Sequence, residues 1–148
     1  MNVKSVFACA LLSMAVCLAG CASPYAPPKA DAIAKLMQPA EGKAVIYLFR
    51  NEPPSAPWPI RVTLDGKTMG KTGAQTYFRW EVGNGQHIVV SYAERWSELM
   101  IDAEPGRIYY VWQDIHMGFF QPTSELKLVD RDTAEINLRS CYLLQSES

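Results

Sequence analysis

The chain has 148 residues, 49% of them hydrophobic, with 14 basic and 15 acidic side chains and a formal net charge of −1. That length carries one domain, and a balance this near neutrality, without a Lys/Arg cluster, gives no electrostatic basis for binding nucleic acid. With two histidines in the whole chain, a zinc site would need both together with a carboxylate.

Met1, Asn2, Val3 and Lys4 form a short positive start before an apolar run over residues 6–18, the pattern of a secretory signal. The run is shorter than the roughly 20 residues a helix needs to cross the hydrocarbon core, which argues against a permanent membrane span. Its end, Leu18, Ala19, Gly20 and Cys21, resembles the lipobox of bacterial lipoproteins. The resemblance implies cleavage between Gly20 and Cys21, a diacylglyceryl group on the Cys21 thiol and acylation of the new amino terminus. At about 0.8 kcal/mol per buried methylene, three acyl chains hold a protein on a bilayer far more firmly than one. Ala22 rather than Asp follows the cysteine, which by similarity to enterobacterial sorting implies the outer membrane, with the domain facing the periplasm. The alternative is an ordinary signal peptide ending near Ala22 or Ser23.

Cleavage before Cys21 leaves 128 of the 148 residues and, with Lys4 gone, 13 basic against 15 acidic side chains. Cys9 and Cys17 depart with the signal and Cys21 takes lipid, so Cys141 alone keeps a thiol and an intramolecular disulfide is excluded. Beside Ile136 and Leu138, Cys141 reads as a small buried apolar residue; intermolecular pairing and catalysis are the competing roles.

Residues 21–41 read as the lipidated N-terminus and a tether, with Pro24, Pro27 and Pro28 among small residues. Extended, such a segment reaches up to ~3.3 Å per residue. Within it, residues 31–37 have a weak helical pattern that fits a short helix packed on the domain equally well. The folded domain is expected over residues 42–145. Residues 44–49 form a continuous apolar run, a strand covered on both faces. Ile60, Val62 and Leu64 alternate with polar neighbours, Asp65 and Gly66 supply a hairpin turn, and residues 67–70 return. Phe78, Trp80 and Val82 oppose Tyr77, Arg79 and Glu81. After a turn at Gly83, Asn84 and Gly85, Ile88, Val90 and Tyr92 are expected to continue the buried side. Leu99, Ile101 and Ala103 form the next stripe. Pro105 and Gly106 specify a type II turn, and Ile108, Tyr110 and Trp112 follow. A last strand over residues 126–129 leads to a terminal helix, with Asp132 as its expected N-cap, Glu135 as the partner at N3, and Ala134, Leu138 and Cys141 on one face.

About seven short strands with period-2 patterning and frequent turns predict an all-β antiparallel sandwich with a short C-terminal helix. Pro53, Pro54, Pro57 and Pro59 suit an edge connection rather than a central strand. The segment Val62, Thr63, Leu64, Asp65, Gly66, Lys67, Thr68, Met69, Gly70, Lys71, Thr72 resembles the repeating unit of PEGA-type surface domains, which implies a transthyretin-like sandwich. Residues 98–110 and 118–122 resemble an uncharacterised family of short bacterial lipoproteins. That resemblance covers nearly all of residues 42–141 and implies the fold and the anchor, with no activity or catalytic residue to carry over.

Residues 113–125 read as one long loop that gathers Asp114, His116, Phe119, Phe120 and Glu125. The acid and imidazole are ingredients of general acid/base work. A G-x-S-x-G, HExxH or CxxC motif is absent from the sequence, and a zinc site would have to bring His87 to His116, with Asp114 as carboxylate. The expectation is therefore a non-enzymatic module without cofactor or metal, its histidines structural. Phe119 and Phe120, adjacent in sequence, cannot both point inward on one strand. An exposed one is an anchor for an envelope protein partner or a stacking platform for a glycan; otherwise both pack beneath the loop. Protein interaction or a structural role in the envelope is the leading expectation. Binding of envelope carbohydrate (peptidoglycan or lipopolysaccharide), motivated by Trp58, Trp96 and Trp112, is the alternative.

Overall fold

The structure, a computed structural model, describes residues 23–56 and 58–148. Gly20, Cys21 and the signal segment lie outside the described residues. The elements in chain order are α1 (Pro28–Ala34), β1 (Ala44–Arg50), β2 (Ile60–Leu64), β3 (Lys67–Thr72), β4 (Thr76–Val82), β5 (Gly85–Tyr92), β6 (Ser97–Ala103), β7 (Ile108–Met117), β8 (Pro122–Val129), α2 (Arg131–Leu138) and β9 (Tyr142–Leu143). The strands form two facing sheets, one of five in the order β8-β7-β1-β4-β9 and one of four in the order β3-β2-β5-β6. The described residues form an all-β sandwich with two short helices.

The apolar run of β1 explains its central place: every residue is buried. Ile46 and Leu48 point between the sheets with Phe78, Trp80, Val89 and Ile101. Val45, Tyr47 and Phe49 enter a second core with Tyr77, Ala134, Leu138 and Cys141. The five-stranded sheet thus buries both faces, one under the other sheet and one under the helices.

Two pairings are parallel, β1 with β7 and β4 with β9, where uniformly antiparallel pairing was expected. A parallel neighbour needs a long crossover, and here the chain makes it by building the second sheet between β1 and β7. Asp65 and Gly66 have φ of 52° and 78°, two consecutive left-handed residues that give the hairpin twist of a primed turn.

The expected phase of β5 is corrected. Val89 and Ser91 are fully buried between the sheets, while Tyr92 is 39% exposed on the outer face with the Arg61 guanidinium 3.9 Å above its ring. The turn at residues 83–85 carries the chain from one sheet to the other. Side-chain alternation therefore restarts there and turns Ile88, Val90 and Tyr92 to the outer face, where Val90 is nevertheless buried, as expected, at 8% exposure.

Residues 24–37 pack on the domain, the arrangement with a short helix that the sequence left open beside an extended tether, with the helix at Pro28–Ala34. Ala26 N–H donates to Leu143 O at 2.8 Å and Gln145 N–H to Pro24 O at 2.8 Å, with Tyr25 bridged antiparallel to Leu144. The Asp31 carboxylate accepts from Tyr77 Oη and Leu143 N, both at 2.9 Å, and from Lys35 Nζ at 2.8 Å. Tyr47 Oη donates to Ala34 O. Burial alone would push the Asp31 carboxyl up, but these hydrogen bonds outweigh it and hold it below the usual carboxylate range.

The C-terminal tail closes the same edge: Leu144 N–H donates to Tyr77 O at 2.8 Å and Glu147 N–H to Met69 O at 2.9 Å. The N-cap of α2 is Asp130, not Asp132; its side chain accepts from Thr133 N at 2.9 Å and Thr133 Oγ1 at 2.8 Å. Strand β8 ends at Val129, so the first free carboxylate past it takes the cap. Cys141 is buried below α2 and donates to Arg50 O at 3.2 Å; burial pushes its thiol up to about 11.

Candidate functional site

The segment expected as a loop is a β-hairpin. Strands β7 and β8 pair from Tyr110 with Val129 through Asp114 with Glu125 to Met117 with Pro122. Only residues 118–121 turn. Gly118 N–H donates to Gln121 O at 3.0 Å, and a Cβ at Gly118 would lie 2.2 Å from that carbonyl and 2.3 Å from Glu94 Oε2. The closure therefore requires glycine. Glu94 staples the tip from outside: its Oε2 accepts from Phe120 N at 3.3 Å and Gln121 N at 3.0 Å, and its own N–H donates to Pro122 O at 3.1 Å.

On this braced tip Phe119 is 89% and Phe120 85% exposed, their rings T-shaped with centroids 4.6 Å apart. Met117 beside them is exposed too. Neither phenylalanine packs under the hairpin; two adjacent rings find no core within reach of a turn that overhangs the sandwich. Two large apolar rings held in water are a specific feature, because soluble surfaces seldom gather such groups without use.

The charged residues occupy a different part of the hairpin. Lys127 Nζ lies 2.8 Å from Asp114 Oδ2 and 3.0 Å from Glu125 Oε2, and His116 Nε2 is 3.1 Å from the same Asp114 oxygen. One ligand atom each from Asp114, His116 and Glu125 lies within 4.8 Å of the others. The ammonium of Lys127 already stands between the two carboxylates, and they raise its pKa in return. A metal ion would have to displace it. Among the described residues no hydroxyl or thiol side chain is hydrogen-bonded to the His116 ring, and the neighbouring Ser124 is buried against Ser91. The arrangement supplies a polar surface of two carboxylates, one ammonium and an imidazole, and among the described residues it holds no positioned nucleophile.

His87 does not join this group. Its Nδ1 is 2.7 Å from Asp65 Oδ2 and its Nε2 3.0 Å from Gly83 O, at the opposite end of the sandwich. It lies five positions before Tyr92 along β5, roughly 16 Å at strand rise. Burial would lower its pKa, but Asp65 and the Gly83 carbonyl outweigh that and raise it. It locks the β2–β3 turn to β5.

The tryptophans are divided. Trp80 is buried and donates to Ser146 Oγ at 3.0 Å; Trp112 is half-buried under the helices. Trp58 is partly exposed in the proline-rich connection. Trp112 belongs to β7 itself, and Trp96 reaches the hairpin from outside, lining a cleft of about 400 Å³ with Arg95, His116, Thr123 and Glu125.

Sequence reasoning placed Asp114, His116, Phe119, Phe120 and Glu125 together, and the hairpin carries all five, as a charged patch and an aromatic tip. It missed Glu94, whose only signal is a carboxylate near a turn. It also missed the polar interior behind the tip. There Gln113 Nε2 donates to Ser91 Oγ at 2.7 Å and Thr72 Oγ1 to Gln113 Oε1 at 2.6 Å. Arg50, fully buried, donates through Nε to Glu52 at 2.9 Å and through Nη1 to Trp58 O at 2.8 Å. No family model, curated protein or solved structure matches the chain.

Proposed function

We propose that the protein is a lipid-anchored module of the bacterial envelope, attached through Cys21, that binds a partner protein with the tip of the β7–β8 hairpin and carries out no catalysis. The observation that supports it is the pair Phe119 and Phe120, displayed at 89% and 85% exposure on a turn braced by Glu94. Preorganised aromatics of this kind are the usual energetic centre of an interface, since little ordering entropy is lost when they are buried. The lipobox-like Leu18, Ala19, Gly20 and Cys21 supports the anchor.

A photo-crosslinking amino acid at position 119 or 120 of the full-length protein, activated in living cells, tests the reading. A discrete adduct from the tip, absent when the probe is at exposed Glu104 and identified as one envelope protein, is the expected result. No tip-specific adduct, with the protein shown to be folded and membrane-bound, would refute it.

The cleft at Trp96 favours one second reading. An exposed indole beside Arg95, His116 and Glu125 suits a sugar ring, stacked on one face and hydrogen-bonded at its edge. A shift in tryptophan emission on adding peptidoglycan or lipopolysaccharide fragments, lost in Trp96→Ala and kept in Phe119→Ala/Phe120→Ala, would favour carbohydrate over protein.

A further inference from the structure

The distance between the acyl-accepting cysteine and the folded domain is very short. Pro24, three residues after Cys21, already accepts from Gln145 N at 2.8 Å, and Tyr25 O accepts from Gln145 Nε2 at 3.2 Å. Three residues span at most ~11 Å. The interfacial layer outside the hydrocarbon core is itself about 5–8 Å deep. An acyl chain seated in the core therefore brings the edge of the sandwich into the headgroups or against them.

What this edge offers is suited to that place. Tyr25 is 50% and Tyr142 61% exposed, their rings T-shaped with centroids 6.3 Å apart, and these two side chains line a surface hollow by themselves. Tyrosine, with an apolar ring and a polar hydroxyl, is enriched at the membrane–water interface.

The strand directions set the orientation. Tyr25 pairs antiparallel with Leu144, β9 runs parallel to β4, and β4 runs from Thr76 beside Arg50 to Val82 beside Ala44. Leading back from Ala26 to Pro24, the chain therefore heads toward the Ala44 end, away from the hairpin tip.

We infer that the edge formed by residues 23–26 and 142–147 rests directly on the bilayer, with Tyr25 and Tyr142 in the headgroup layer and the Phe119/Phe120 tip turned away from it. The inference rests on lipid attachment at Cys21.

The test uses the full-length, lipidated protein in phosphatidylcholine vesicles, with a fluorophore on Tyr25→Cys, Tyr142→Cys or, for comparison, Phe119→Cys. Circular dichroism and a melting curve matching wild type qualify each variant. Flotation with vesicles and the acylated mass of the N-terminal peptide report the anchor separately. Expected is efficient quenching by brominated lipid at positions 25 and 142, with several-fold weaker quenching by aqueous iodide than at position 119. If the protein floats but positions 25 and 142 are as open to iodide as position 119, the resting edge is wrong and the anchor stands. Shielding from iodide without quenching by brominated lipid would assign the edge to a second copy or a protein, and overturns the inference too. An unacylated peptide and no flotation would overturn anchor and edge together.

Discussion

Replacing Asp31 by Ala removes the acceptor that fastens α1 and the N-terminal segment to the sheet. Leu143 N loses its 2.9 Å partner, and Tyr77 Oη, on a fully buried residue, loses one at 2.9 Å and keeps only a long 3.4 Å contact to the Asp31 backbone carbonyl. A buried donor left without a partner costs about 1–3 kcal/mol. Water reaches this edge in part, so the expected loss is about 2–4 kcal/mol. At roughly 4 °C per kcal/mol for a domain of this size, the midpoint falls by about 8–16 °C in a calorimetric or urea-monitored melt. Lys35→Ala, which removes a part-exposed ion pair, is expected to cost at most about 1 kcal/mol. The pH dependence has a definite sign. The folded-state pKa of Asp31 lies below its ordinary value, so its contribution is complete above the unfolded value of about 3.9 and is lost as pH falls through the lower, folded one. The difference between wild type and Asp31→Ala should close in that acid window. A loss below about 0.5 kcal/mol at pH 7, within the range of an ordinary surface change, would refute the reasoning.

Other positions give independent checks. Gly70 has φ of +133°, and a Cβ there would lie 3.0 Å from Phe78 Cζ, whose ring is held by its stack on Trp80; Gly70→Ala should lower stability by about 1–3 kcal/mol in a urea titration, with no change at the hairpin tip. His87 has a raised folded pKa, so its pairing with Asp65 stabilises fully below the unfolded value of about 6.5 and fades as pH rises through the folded one. Melts across neutral pH should show that slope in wild type and lose it in Asp65→Asn. The Cys141 thiol, buried and pushed up to about 11, should resist a water-soluble thiol reagent at pH 8 in the native protein and react stoichiometrically in guanidinium. Fast native reaction would contradict its burial.

Much of the sandwich is legible in the sequence because strand period and turn chemistry are local. The run through Leu48, the turn at Asp65 and Gly66, and the stripe Leu99, Ile101, Ala103 each declare themselves within a few residues. What fails is what depends on the destination of the chain. The apolar stripe Ile88, Val90, Tyr92 is real, but the turn before it changes sheets, and no local signal says which face then looks inward. Arg50 directly follows the apolar run of β1 and Gln113 was expected to open a loop, yet both are fully buried: Gln113 is met by Thr72 and Ser91 from distant strands, and Arg50 by Glu52 and the Trp58 carbonyl, with its Nη2 left without a partner. The same holds for Asp31, whose partners come from β4 and from the C-terminal tail. At the hairpin, the adjacency of Phe119 and Phe120 was enough to mark them, while the brace from Glu94 depends on a neighbouring connection that sequence spacing does not bring near.

The bridge between Tyr25 and Leu144 ties nearly the first described residues to nearly the last, and β1 waits for partners in β4 and β7. A ribosome delivers these pieces in the opposite order of need. Until residue 129 has emerged, β7 has no β8; until residue 145 has emerged, the N-terminal segment has nothing to pair with. Closing such distant contacts is slow, and the five-stranded sheet cannot be complete until β7, β8 and β9 have been made. The architecture then completes itself only after the last residues have followed.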